Sequence, residues 1–233
     1  MSDAETPDET PEDPGGIDFQ RLYAYRFRGV DQAARQAVWD EIAPVVHRWL
    51  GAPQRVLDPA AGRGEFINAI DAAERWVVDS VEYDEAALDP DVKVVIGDAR
   101  EVDLPEAHFD GVFVSNLLEH LPTQDEVARL LRRLRRTMAP GGRIAVMGPN
   151  FRYCAREYFD FADHTLALTH VAVEEHLYSA GFEIDRVIPR FIPYSFRSRM
   201  PQAPILVRAY LRMPVAWRLL GKQFLVIGRM PTG

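Results

Sequence analysis

The sequence predicts an α/β domain: a seven-stranded, mostly parallel sheet with helices on both faces, an antiparallel last strand and a helical insertion before it. Three observations lead there. Short apolar runs alternate with segments of helical periodicity from Asp31 onward. No apolar run approaches the roughly 18–20 residues that span a bilayer, so these runs read as buried strands. Finally, Phe182–Ile188 and Phe224–Gly228 read as two closing strands able to form a hairpin.

The elements follow in order. Asp31 is placed to cap a helix that runs to about Leu50 and is closed by Gly51. A short strand, Arg55–Asp58, leads through a glycine turn into a helix of about ten residues starting near Gly64. The second strand is read as Trp76–Glu82, the third as Val92–Ile96, stopped by Gly97, and the fourth as Phe109–Val114. Thr123 and Glu126 have the spacing of a capping box for the next helix. Its apolar stripe is Val127, Leu130, Leu131, Leu134 and Met138, and its arginines (129, 132, 133, 135 and 136) read as a solvated face rather than a nucleic-acid surface. Pro140-Gly141-Gly142 ends that helix before a fifth strand, Arg143–Gly148, and a further helix begins near Thr169.

Charge is unevenly spread over the 233 residues, whose net charge is −8. Residues 1–20 hold seven acids and no Lys or Arg; without them, 28 acids face 27 bases. With five Pro and Gly residues between 7 and 16, residues 1–17 read as a disordered acidic tail, and 18–233 as a single domain. Residues 186–233 hold nine bases and no acid. Cys154 is the only cysteine, so there is no internal disulfide and no Cys/His zinc cluster, and a nucleophilic role is the less favoured reading. No metal site is read from the sequence; Asp163 with the histidines is the set able to hold an ion weakly. The missing secretory signal and the lone cysteine make a cytoplasmic location the expectation.

Parallel α/β sheets bind ligands beyond the carboxyl ends of their strands. Those ends carry Asp58 to Gly64, Glu82, Asp98, Ser115-Asn116 and Pro149-Asn150. Gly62 and Gly64 let the backbone turn sharply beside a ligand, and a helix N-terminus after them suits an anionic group. Glu82, about 20 residues later, is placed to accept from a ribose diol. Tyr83 can lie along an adenine face, and Asp98 can accept from its exocyclic amine. The implied ligand is an adenosine, either a nicotinamide dinucleotide or S-adenosylmethionine (SAM). Three features favour SAM: Phe66 and Ile67 occupy the region where a dinucleotide turn has its third glycine, Asp58 would repel a pyrophosphate but meet an ammonium, and the chain closes on the two strands named above.

Together these segments resemble the class I SAM-dependent methyltransferase family, of the type-11, small-molecule kind with a Rossmann-like sheet. The resemblance covers about residues 31–191 and 222–229 and rests on VLDPAAGRGEF (56–66), VEYDEAAL (81–88), GDARE (97–101), FDGVFVSNLLEHL (109–121) and APGGRIAVMGPN (139–150). It implies that Asp58, Ala60 and Gly62 line the methionine part of SAM and that Glu82 holds the ribose. Tyr83, Asp98 and Ala99 would frame the adenine, and Asn116 would sit near the sulfonium. The product would be S-adenosylhomocysteine (SAH). Ala60 stands where the family usually has glycine, which is tolerable at negative φ.

The acceptor is expected to be a small molecule, a sugar, glycan or natural-product hydroxyl, free or lipid-linked, and not a nucleic acid. An amine acceptor, a nicotinamide-dependent oxidoreductase and a non-catalytic SAM-binding protein are the alternatives. A hydroxyl benefits from a base, and histidine is the usual one. Of the six histidines, His47 and His108 read as surface residues and His176 as a partly buried helix residue. His120, just beyond Asn116, and His164, in a long loop after the fifth strand where Asp163 can orient it, are the candidate bases. The insertion at about 193–221 mixes arginines with Ile205, Leu206, Tyr210, Trp217 and Leu219, and reads as one or two amphipathic helices broken at Pro201, Pro204 and Pro214. It is read as a pocket cap or homodimer interface, as a peripheral membrane contact, or as an anion site.

Overall fold

A computed structural model describes residues 17–80, 87–194 and 203–232. Their contacts fall into two compact units, with the boundary between Val30 and Asp31. In the first, helix α1 (Phe19–Arg26) is capped by Asp18, whose carboxylate accepts from the Arg21 N–H at 3.0 Å. The acidic segment before residue 17 lies outside the described residues.

The second unit is the predicted α/β domain. Helix α2 (Gln32–Trp49) starts where Asp31 accepts from the Ala34 N–H and stops before Gly51, whose φ of 92° suits a residue without Cβ. The strands are β1 (Arg55–Asp58), β2 (Glu74–Asp79), β3 (Lys93–Ile96), β4 (Phe109–Ser115), β5 (Met138–Pro149), β6 (Glu183–Ile188) and β7 (Gln223–Arg229). They form one seven-stranded sheet in the order β3-β2-β1-β4-β5-β7-β6. The pairs from β3 to β5 are parallel, and β7 is antiparallel to both β5 and β6. The closing hairpin forms with β7 seated inside the sheet and β6 at its edge. Strand order reverses about β1 and β4, so their carboxyl ends open the crevice where such sheets bind ligands.

Alternation along the strands separates the two faces. Val112 and Val114 of β4 and Leu57 of β1 pack under α4 (Gln124–Thr137) and α6 (His170–Ser179), against Leu130, Leu134 and Val173. Phe113 and Val56 face the other way, onto Ile42, Val46 and Phe66. Helix α4 is capped as predicted, with Thr123 Oγ1 accepting from the Glu126 N–H at 3.2 Å. Its arginines serve the fold: Arg129 pairs with Glu126, Arg133 donates to the carbonyls of Glu101 and Val102, and Arg135 donates to that of Gly181.

Three predicted boundaries move. β2 runs Glu74–Asp79 rather than Trp76–Glu82, because its partner β3 ends at Ile96, paired with Asp79. The Gly97 N–H donates to the Asp79 carbonyl at 2.8 Å and closes that ladder. Helix α3 (Glu65–Asn68) has four residues instead of about ten, since β2 begins earlier and takes up the chain that a longer helix needs. The Asn68 side chain is then spent on the Ala87 carbonyl and the Asp89 N–H. β5 begins at Met138, before Pro140-Gly141-Gly142, because Met138 already pairs with Phe109. At Gly142 a Cβ would come within 3.0 Å of the carbonyls of Ala139 and Asp110, so the strand passes there only without a side chain.

The insertion forms two helices, α7 (Pro204–Leu211) and α8 (Pro214–Leu220), each with proline in its first turn. They lie along α2: Arg208 pairs with Glu41, Tyr210 Oη donates to the Phe191 carbonyl at 2.7 Å, and Trp217 meets Trp49 edge-on. The acid-poor end of the chain thus finds its counter-charges elsewhere in the domain, with Arg229 on Glu183 and Lys222 on Glu157. Among the described residues, no helix is long and apolar enough to cross a membrane.

Candidate active site

The donor side is built at the end of β1. Asp58 is 2 % exposed, and one of its oxygens accepts from the Ala60 N–H at 3.2 Å. Burial pushes its carboxyl up to about 8, the carboxylates of Asp79 and Glu65 push the same way, and the Ala60 N–H opposes them. Gly62 and Gly64 adopt φ of 58° and 76°, the left-handed region that favours glycine. A Cβ on Gly64 would strike Leu88 Cδ2 at 2.1 Å, whereas one on Gly62 would meet nothing within 4 Å among the described residues. Ala60 is not among the residues with positive φ, and its methyl is accommodated. With only four residues in α3, little helix dipole stands behind this turn, and the expected anion-binding helix end is not formed.

Asp79, at the end of β2, accepts from the Gly62 N–H at 3.0 Å. Sequence reasoning passed over it in favour of Glu82, yet it ends the same apolar run and its side chain reaches the turn. Glu82 and Tyr83 lie outside the described residues. Glu65 is buried, pairs with Arg35 of α2, and its carbonyl accepts from Gln36. Three acidic side chains, those of Asp58, Glu65 and Asp79, therefore gather at the turn. Glu65 is neutralised by Arg35, and Asp58 keeps a proton up to about pH 8. An ammonium is thus drawn to Asp79 and, by displacing that proton, to Asp58, whereas a pyrophosphate is repelled.

Asp98 follows β3, and its oxygens take Arg100: its Nε at 2.9 and 3.0 Å, and its backbone N–H at 2.8 Å. That guanidinium holds the Asp98 carboxyl below the usual carboxylate range. Ala99 is buried in the core beside it. Asn116, after β4, has φ of 48° and donates from Nδ2 to Ser115 Oγ at 2.9 Å. A non-glycine residue in this region at a strand end is a strained position of the kind found at functional sites.

The 3₁₀ turn Leu118–His120 and the loop after β5 build the other side. Residues 165 and 166 donate their N–H groups to the Glu119 carbonyl at 2.9 and 3.1 Å, tying the loop to the turn. His120 and His164 lie 5.0 Å apart, ring to ring, at 70°. Asp163 serves His120: His120 Nδ1 lies 2.9 Å from the Asp163 carbonyl and 3.4 Å from its carboxylate. The pairing follows from the turn between Phe161 and His164, where the His164 N–H donates back to the Phe161 carbonyl. His164 stacks on Phe161 and meets the edge of Tyr158. Glu119, which sequence reasoning did not single out, is 2 % exposed, and burial raises its carboxyl above the usual range.

The remaining polar groups are structural. His47, expected at the surface, is buried, its Nε2 2.9 Å from the Pro53 carbonyl. His108 lies half-buried against Glu74 and Trp76. Asn150 is fully buried, caps helix α5 (Phe151–Cys154), and holds His170 and the Pro189 carbonyl. Cys154 is buried beside the Asn150 carbonyl with its thiol pushed up to about 12, which removes it as a nucleophile.

Comparison with known proteins agrees with this geometry. Residues 52–146 match the model of a methyltransferase domain. A dTDP-4-amino-2,3,4,6-tetradeoxy-D-glucose N,N-dimethyltransferase of Saccharopolyspora spinosa is 31 % identical over 128 residues, 52 % of this chain and 49 % of that protein. A probable SAM-dependent methyltransferase of Mycolicibacterium smegmatis is 29 % identical over 70 % of this chain and 66 % of its own. The chain thus spans about half of one curated relative and just under two thirds of the other. The Burkholderia thailandensis 1,6-didemethyltoxoflavin-N1-methyltransferase, solved with SAH, has the same fold with a TM-score of 0.58 at 21 % identity, over 98 % of this chain and 93 % of that one. The fold is that of the Rossmann-like methyltransferases. Over residues 52–146 the chain is thus similar to the SAM-dependent methyltransferases.

The donor site has a titration signature. Asp58 at about 8 stands above its ordinary 3.8, so the folded chain keeps a proton that the unfolded chain has released. Its contribution to stability is full below the unfolded value and is lost as pH rises through about 8. Thermal melts between pH 4 and 9 are expected to fall with pH more steeply for the wild type than for Asp58→Asn. Parallel curves would refute the assignment.

Proposed function

We propose that this chain transfers the methyl group of SAM to a hydroxyl of a small molecule, a sugar or related natural product, and releases SAH. The observation that carries the donor half is the buried Asp58 at a glycine turn that it shares with Asp79 and Glu65. This acidic turn fits the methionine end of SAM, with its ammonium and sulfonium, and argues against the pyrophosphate of a nicotinamide dinucleotide. Asp58, Ala60 and Gly62 would hold that end. Glu82 with Tyr83, Asp98 and Ala99 would take the adenosine, and Asn116 would stand by the sulfonium. The bound donor supplies a methyl already activated by positive sulfur, so the protein's task is alignment and activation of the acceptor.

The acceptor half rests on His120 and His164, two imidazoles at one strand end, the first backed by Asp163. An alcohol gives up its proton only with help, which is what such a pair provides. An amine acceptor is the second reading, favoured by the S. spinosa relative, whose name specifies N,N-dimethylation of a nucleotide-linked amino sugar. Incubation with SAM and a panel of nucleotide sugars bearing free hydroxyl or amino groups, read as SAH released, tests both. Release with a hydroxyl sugar supports the first reading, and release with an amino sugar alone supports the second. SAM binding without SAH release from any acceptor in such panels would instead point to a non-catalytic SAM-binding protein.

A further inference from the structure

The His120–His164 pair has a third member. Ligand atoms of Glu119, His120 and His164 all lie within 4.8 Å of one another. The Glu119 carboxylate is the odd group there. The residue is 2 % exposed, and besides its own backbone N–H its neighbours are the two imidazoles and the Asp163 side chain. A buried carboxylate with so few donors is costly, and the usual remedies are a cation or a proton. Gly148 at the end of β5 leaves room for it: a Cβ there would lie 3.4 Å from Glu119 Oε2.

The histidines are set for the first remedy. Holding His120 Nδ1 against the Asp163 carbonyl at 2.9 Å fixes the tautomer and leaves the Nε2 lone pair as the ring's ligand atom. A backbone carbonyl behind one ring nitrogen is the common support of a metal-bound imidazole. Two imidazoles and one carboxylate are the donor set of divalent first-row transition metals, and three protein ligands leave coordination positions open.

We propose that Glu119, His120 and His164 form a binding site for a divalent transition-metal cation, whose open positions take the acceptor oxygen. The location beside the acceptor rests on the function proposed above; the cation site itself does not. At such an ion the hydroxyl loses its proton to solvent more readily. Its oxygen then forms the C–O bond while the C–S bond of the donor breaks, with that electron pair remaining on sulfur. SAM becomes SAH, and no oxidant or reductant is needed.

The test uses the untagged full-length chain, freed of metal with a chelator and titrated with cobalt(II) alone, read by visible absorption and calorimetry. One ion per chain is expected, with bands of nitrogen- and oxygen-ligated cobalt. Glu119→Gln, which keeps the shape of the buried side chain, and His164→Ala, at a half-buried loop position, should each weaken cobalt binding about 10- to 100-fold or more. SAM affinity, measured on the same samples, should stay within about 2-fold of the wild type, since neither residue belongs to the donor turn. Absence of stoichiometric cobalt binding by the wild type, or equal affinity in both variants, overturns the site. Loss of SAM binding by the wild type, with cobalt binding intact, would overturn the methyltransferase reading and leave the cation site standing.

Discussion

Asp58→Asn is expected to lower SAM affinity about 10- to 100-fold, the scale of a lost charge-assisted hydrogen bond worth roughly 1.5–3 kcal/mol. The reasoning starts from burial. Asp58 sits almost wholly out of water beside two other carboxylates, and its carboxyl is therefore held protonated up to about pH 8. A ligand ammonium brought against it reverses the balance: the carboxylate gains a partner, and the proton leaves. Binding of SAM to the wild type below pH 8 should thus release close to one proton, and affinity should rise as pH approaches 8. The amide variant keeps the volume and the Ala60 hydrogen bond but has no proton to release. Calorimetry in two buffers of different ionisation enthalpy reads both quantities at once. Equal SAM affinity in wild type and variant, or no proton release by the wild type, would remove Asp58 from the donor site.

His164→Ala should reduce kcat about 100- to 10,000-fold with SAM affinity unchanged, the range typical of losing help in removing the acceptor's proton. The imidazole lies 5.0 Å from that of His120, stacked on Phe161 and edge-on to Tyr158, so its removal leaves a gap in a half-buried loop and not in the sheet core. Folding should survive, because the loop is still fastened by the N–H groups of Thr165 and Leu166 on the Glu119 carbonyl. Asp163→Asn is the companion variant. It keeps the backbone carbonyl that holds His120 Nδ1 and removes only the negative charge at 3.4 Å, so a smaller loss is expected. Steady-state rates with an identified acceptor check both. Wild-type turnover in His164→Ala would dismiss the histidine pair.

Much of the fold was legible because its signals are local. Asp31, Thr123 and Thr169 each cap the helix they announce, and Val112, Phe113 and Val114 alternate between the two core faces as a strand should. The misplaced boundaries depended on partners that lie far off in sequence. β2 stops at Asp79 because β3 stops at Ile96, and β5 starts at Met138 because Phe109 is there to pair with it. Neither limit is written in the strand itself.

The site divides in the same way. Asp58, Gly62 and Gly64 stand next to one another in sequence and were found at once. Asp79 reaches the same turn from 17 residues away through one hydrogen bond to Gly62, and the apolar run that contains it gave no hint of where it would end. Glu119 carries no signal of its own in the sequence, and only burial marks it. Asp163 also meets, through its carbonyl, a histidine 43 positions earlier, a contact that sequence spacing does not announce.

Calorimetric titration of the full chain with SAM, alongside NAD under the same conditions, tests most directly the claim that the turn from Asp58 to Gly64 is a methyl-donor site. One SAM per chain is predicted, with SAH competing for the same site and no heat from NAD. Binding of NAD in preference to SAM, or of neither, would contradict it.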